Sequence, residues 1–380
     1  MHFTRRSAVG LGIAALATAP MGIAFAADEG IKIGMTVPMT GPGAEIGHLQ
    51  TEGAKIGIDK INAAGGVLGK KLELIVEDDQ TTNPGIVLAF SRLVNRGDLV
   101  AILSSLRSTQ VNAISGDARK AGLPVFFGGT DPTLTNTGNP WFFRARPNDV
   151  FSAKVIADFG VNQLKKQKWA LLHSTDAFGT NGVKALIEQL KPLGVTPVLV
   201  QGFNNGQADL TPVVLAVRQS GADIIATYTP FENDVGVLAR QLKQFGVQAT
   251  WIGSASVAST TAMQLAGPAL YGTYAVADFN AEANPQAKAY FAEFSKKVGR
   301  APDYSSAWAY DSILLIAEAI KQAGGTAPDK VRAALLAIKD FQGAEGAYTF
   351  DQNGDGLRSY NVVKNDGGKI VFVRHIAFDK

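Results

Sequence analysis

Short apolar runs alternate with amphipathic segments along most of the chain. The runs predict strands over 31–37, 71–77, 99–103 and 124–127. Between them, apolar positions recur at helical spacing, which predicts helices over 45–63, 84–95 and 108–121. Pro84 near the start of the second helix suits a first turn, where a missing N–H costs nothing. This alternation is the signature of a parallel sheet with helices on both faces. A second run follows, with strands over 168–173, 196–202, 223–228 and 250–252. Its helices are predicted over 179–193, 209–220 and 232–245, and Gly221 and Gly246 stop the last two. The remainder differs. Two long helices are predicted over 285–298 and 304–322. Trp308, Leu315, Ile316, Ala319 and Ile320 share one face of the second, as a core-facing stripe does. Residues 346–378 read as strands and turns. Helices arriving after the second α/β run imply that the chain returns to complete the first, crossing near Arg146-Pro147-Asn148.

The chain has 380 residues, more than one core usually holds, so two domains are expected. Before the first strand lies an export signal. Arg5 and Arg6 make a positive start, residues 8–25 are small and apolar, and Ala24-Phe25-Ala26 forms a small-x-small cleavage site. The stretch falls short of the ~20 strongly apolar residues that a membrane span needs. The arginine pair resembles a twin-arginine leader, and an ordinary leader remains the alternative. Removing residues 1–26 takes the net charge from +3 to +1. Both signs are spread along the chain, which argues against nucleic acid as a partner.

There are no cysteines and only four histidines. Disulfides, thiolate metal sites and cysteine nucleophiles are excluded, and a three-histidine metal site nearly so. No G-x-S-x-G elbow occurs. The Gly65–Lys71 stretch is one residue short of a phosphate loop and has Lys71 where a Ser or Thr would hold magnesium. It precedes a strand, so it reads as a turn. Asp351, Asn353, Asp355 and Gly356 match the start of a calcium loop. Its twelfth position is Val362 in place of the bidentate Glu, so a polar turn is the better reading. No nucleophile and base can be paired from the sequence. Enzyme, metal and cofactor functions are therefore not expected.

A series of short pieces then occurs in a specific order. Met39-Thr40-Gly41-Pro42 follows the first strand. Gly53-Ala54, then Ile61 through Val67, then Gly69-Lys70-Lys71-Leu72 come next. Glu77-Asp78-Asp79, Pro84, Ser108-Thr109-Gln110, Gly122-Leu123-Pro124 and Gly128-Gly129-Thr130 complete the first half. Phe143-Arg144, Asp149, Phe178-Gly179 and Ala222-Asp223 follow. Taken together, the chain resembles the leucine/isoleucine/valine-binding family of periplasmic solute-binding proteins, which serve ABC importers. The resemblance covers nearly the whole chain after residue 26. It implies an α/β fold of two doubly wound lobes with parallel-type sheets, joined by a three-strand hinge, the type I periplasmic binding protein. One lobe would hold residues 27–147 with 279–352, the other 148–278 with 353–380. It also implies a monomer in the periplasm, an inner-membrane ABC permease as partner, and a ligand in the inter-lobe cleft.

The family's ligand contacts fall on definite positions here. The loop after the third strand, with Ser105, Leu106, Arg107, Ser108 and Thr109, should meet a ligand carboxylate. Gly128, Gly129 and Thr130 should complete that end, with Asp149 beside them. Phe178 and Phe231 stand where the family has aromatic walls, with core packing as the alternative for both, and Tyr228 joins them in suggesting an apolar or aromatic ligand body. Two departures bear on the ligand. Ala255 occupies the place of the acid that anchors an amino acid's ammonium. A buried ammonium without a paired acid costs several kcal/mol. Arg107 stands where the family is small and polar, either as a bidentate carboxylate partner or as a solvated loop residue. The expected ligand is therefore a carboxylate without an amine, with an aromatic or branched oxo- or aryl-acid body. The alternative is an aliphatic amino acid, with Asp149 or Glu232 replacing the missing anchor. A ligand-sensing module for a signalling partner is the rival of another class, and an exported hydrolase is weaker still.

Overall fold

The computed structural model describes residues 1–2 and 30–378. The export leader and its cleavage site lie outside the described residues.

The first sheet holds β1 (Ile31–Val37), β2 (Leu72–Asp78), β3 (Leu99–Leu103), β4 (Val125–Phe127) and β5 (Phe142–Arg144). Its order is β2-β1-β3-β4-β5, and every pair is parallel. The helices α1 (Ala44–Ala63), α2 (Asn83–Asn95) and α3 (Ser108–Ala121) connect the first four strands. Strand alternation sorts the side chains onto two faces. Ala101, Leu103, Phe126 and Phe143 join the core on one face, and Ile102, Val125, Phe127 and Phe142 join that on the other.

The chain then crosses. The helix α4 (Asp149–Asp158) leads into β6 (Trp169–Ser174), α5 (Ala177–Leu190), β7 (Leu199–Phe203), α6 (Thr211–Ser220) and β8 (Ile224–Tyr228). The helix α7 (Glu232–Gln244), β9 (Thr250–Gly253), α8 (Thr260–Ala266) and β10 (Tyr274–Ala277) follow. After a second crossing come α9 (Pro285–Val298), α10 (Tyr304–Ala323), α11 (Pro328–Ala337), β11 (Phe341–Gln342) and β12 (Ala347–Tyr348). Trp308, Ile313, Ile316 and Ile320 of α10, with Val331 and Leu335 of α11, pack into the core of the first sheet. A third crossing delivers β13 (Ser359–Asp366) and β14 (Lys369–Ala377) to the second sheet. That sheet runs β14-β13-β10-β9-β8-β6-β7, with the last two strands of the chain antiparallel to their neighbours.

The expected two α/β lobes joined by three crossings are therefore present. The apolar pattern left α4, α8, α11, β5 and β10 unread, because these are short or bury polar positions. The Asp351–Asp355 turn is a hinge brace. The Asp351 carboxylate accepts from the backbone N–H groups of Asn353 and Asp355, and Asp355 pairs with Arg144. Arg144 is fully buried. Its remaining donors reach the Gly129 and Asp131 carbonyls and the Thr135 hydroxyl.

Candidate ligand-binding cleft

The carboxyl ends of both sheets face each other, where loops and helix N-termini leave backbone donors free. Between them lies a cavity of about 50 Å³. At roughly 10–15 Å³ per water on this scale, it holds a handful of waters, the size of a small solute. Pro38, Ile46, Leu106, Phe178, Pro230 and Val276 give it apolar walls drawn from both lobes.

Of the residues expected from the sequence, Ser105, Leu106, Arg107, Ser108, Thr130, Asp149, Phe178 and Ala255 line this cavity. The first four belong to the β3–α3 turn. The helix α3 begins at Ser108, so the N–H groups of its first turn have no intrahelical partner. The serine hydroxyls are already engaged. Ser105 Oγ donates to Gln110 and accepts from the Arg107 N–H at 2.9 Å, and Ser108 Oγ accepts from the Asp131 N–H at 3.2 Å. Ser105 has committed its proton to Gln110, whereas Ser108 only accepts, so anion recognition at this end would fall to backbone donors and the Ser108 O–H.

Thr109, Gly128, Gly129, Tyr228 and Phe231 do not line the cavity, for distinct reasons. Thr109 and Phe231 face an outer groove with Thr81, Asp176 and Asn205. Tyr228 is fully buried behind Phe178, with ring centroids 5.8 Å apart, and its hydroxyl is 2.8 Å from Ser152 Oγ. Gly128 is pressed against Leu106, Arg146 and Trp308, so its carbonyl meets the Arg146 guanidinium in place of a ligand. Gly129 lies against Ser108 and Leu134, and its carbonyl accepts from Arg144.

Arg107 spans the cleft. Its Nη1 donates to the Pro230 carbonyl at 3.0 Å, and its guanidinium stacks 4.0 Å from the centre of the Phe231 ring. Other lobe-to-lobe contacts join Asn181 to Asp131, Thr260 to Asp303 and Tyr304 to Glu232. The lobes are closed on each other.

Two carboxylates stand in the cavity wall. Asp149 is pushed up to about 7 by burial, against hydrogen bonds from Thr130 and Ser152 and the charge of Arg146. Glu232, at the start of α7, is likewise pushed up to about 7 by burial, against the charge of Arg107 and a hydrogen bond from Tyr304. Both are therefore partly protonated near neutral pH. Glu232, from sequence a substitute anchor only, shares this wall with Ala255.

The family is settled at this point by direct likeness. Periplasmic binding proteins as a family match residues 30–369. The chain belongs to the periplasmic binding protein family. An amino acid binding protein of Pseudomonas aeruginosa is 30% identical over 348 residues, covering 90% of this chain and 92% of that one. The fold matches the branched-chain amino acid transporter substrate binding protein LivJ of Streptococcus pneumoniae, solved with isoleucine, at a TM-score of 0.85 and 24% identity. That match covers 92% of this chain and all of the other. A solute binding protein of an ABC transporter from R. palustris, solved with benzoate, matches at a TM-score of 0.84 and 17% identity, over 92% and 97% of the chains. This periplasmic binding protein thus shares its fold with solute-binding proteins of ABC transporters. Among the described residues no helix is long and apolar enough to cross a membrane.

Sequence reasoning missed Gln50, Arg146, Thr229, Ser254, Ser256, Tyr304 and Tyr360, all of which line the cavity. Arg146 carried a readable signal, a second arginine beside Pro147 at the first crossing. The others sit on elements whose facing partner is known only once the lobes close.

Proposed function

We propose that this periplasmic binding protein is the exported solute receptor of an ABC importer, and that it closes its lobes over a small organic acid. The observation that carries this is the cavity itself. It is walled by both lobes and small, with apolar walls interrupted by polar side chains, and with the α3 N-terminus and Arg107 at its rim. Closure excludes water, which strengthens every polar contact inside. Ala255 and Phe178, both in the wall, favour an aromatic or branched oxo- or aryl-acid body. The inner-membrane permease is the partner that this function requires, with export through the leader ending near Ala26 and action as a monomer.

The burial of Asp149 and Glu232 in the same wall favours a second reading, an aliphatic amino acid whose ammonium these carboxylates receive. The two readings differ in proton traffic. An anion entering beside the two carboxylates raises their pKa further, so binding takes up protons and affinity falls as pH rises through 7. An ammonium lowers them, so binding releases protons and affinity rises over the same range. A thermal-shift screen of amino acids, their oxo-acid analogues and aromatic acids comes first. A ligand at 100 times its Kd adds about 2.7 kcal/mol. Calorimetry of each hit in two buffers of different ionisation enthalpy then gives the proton count. Uptake with an oxo or aryl acid is the expected result. Release with leucine would establish the amino-acid reading instead. No stabilisation by any acid would overturn both.

A further inference from the structure

Two arginines two residues apart have different fates. Arg144 spends its guanidinium inside the hinge, on Asp355, Gly129, Asp131 and Thr135. Arg146 lies beyond the end of β5 and turns to the cavity. Among the described residues its hydrogen bonds run from Nε to Asp278 and from Nη1 to the Gly128 carbonyl. Its guanidinium lies 4.7 Å from the centre of the Tyr304 ring. A guanidinium carries five N–H donors in a fixed fork, so donors remain on the edge away from Asp278. Burial works against its charge, and the facing Asp278 carboxylate overcomes that.

A second observation concerns the same cavity. Gln50 and Thr229 line it, and both are at least nine-tenths buried. Gln50 Oε1 and Thr229 Oγ1 have no hydrogen-bond partner among the described residues. Buried polar atoms left unpaired cost about 1–3 kcal/mol each, so such atoms in a binding cavity are complements to a ligand.

We infer that the ligand carries a hydroxyl in addition to its carboxylate, and that Arg146 determines this specificity by donating to the hydroxyl oxygen, with Gln50 and Thr229 as its other polar partners. The inference rests on the small-acid reading above. The chemistry selects a hydroxyl over other groups. Arg146 needs an acceptor, Gln50 Oε1 needs a donor, and a hydroxyl is both. A second carboxylate would face Asp149 and Glu232, and an ammonium at this spot would face Arg146.

The test is calorimetric titration of the purified protein with paired probes. These are benzoate against 3- and 4-hydroxybenzoate, and 3-methylbutanoate against its 2-hydroxy form. The hydroxylated member of at least one pair is expected to bind at least tenfold more tightly. Arg146→Met and Gln50→Leu should each cut that ratio below threefold, because the hydroxylated acid loses more than the plain one. Gln50→Leu decides the matter if the arginine variant does not fold, since Gln50 Oε1 holds nothing in place. Equal binding of plain and hydroxylated acids by the unaltered protein overturns the inference and leaves the small-acid reading standing. A variant that weakens both members by one factor, keeping the ratio, overturns it too. Binding of neither member of any pair, with other acids equally inert, overturns the small-acid reading and this inference with it.

Discussion

Arg107 is the residue whose role the structure changes most. From sequence it stands as a partner for the ligand's carboxylate or as a solvated loop side chain. It is neither alone, because its guanidinium reaches the opposite lobe at Pro230 and Phe231 while still bordering the cavity. A charged hydrogen bond contributes about 1.5–3 kcal/mol, and a cation over an aromatic face about 0.5–2. In Arg107→Ala those contacts vanish from the closed form only. Affinity should fall about tenfold or more. The factor should be the same for a carboxylate ligand and its carboxamide analogue, as titration of both would show. A loss confined to the carboxylate would make Arg107 a direct ligand contact. The neighbouring serines teach the same lesson at smaller scale. A hydroxyl in a binding loop was legible in the sequence, but its use by Gln110 or Asp131 was not.

Among the elements, α1 and α10 set how the first lobe closes its core. Gly53 lies on α1 where a Cβ would collide with the Ser306 carbonyl, and Gly57 packs against Ile313. The two helix axes can approach only because these positions have no side chain. Gly53→Ala would improve helix propensity by about 1 kcal/mol on an exposed surface. Here the collision should win, with a net loss of about 1–3 kcal/mol, read as a lower urea midpoint. The N-terminus of α10 is capped by Asp303, which accepts from the N–H and hydroxyl of Ser305. This cap holds Tyr304 in the cavity wall and, through Thr260, touches the opposite lobe. The apolar stripe of α10 was plain from its 3.6-residue spacing. Its place in the ligand site was not, because Tyr304 lies at the helix end, outside the stripe.

For the molecule as a whole, the hinge is the part built from buried charge. Arg144 is fully enclosed and depends on Asp355 from the third crossing. Removing one partner of a buried pair leaves an uncompensated charge, at a cost of about 3–5 kcal/mol. Asp355→Ala is therefore expected to lower stability by about 3 kcal/mol in urea denaturation. A change below 1 kcal/mol would mean that the pair is dispensable to the hinge. Strand and helix alternation determined an α/β chain, and the resemblance carried by the ordered motifs implied a two-lobed receptor, because those features depend on local periodicity and on residues near in sequence. The resemblance also pointed to the β3–α3 loop, four of whose residues, Ser105 to Ser108, line the cavity. The tertiary structure alone decided which polar groups share one small cavity. Gln50, Arg146, the Thr229–Glu232 turn and Tyr304 come from four separate segments. Their juxtaposition arises from three chain crossings and the closure of one lobe on the other, and no local pattern in the sequence encodes a distance between segments so far apart.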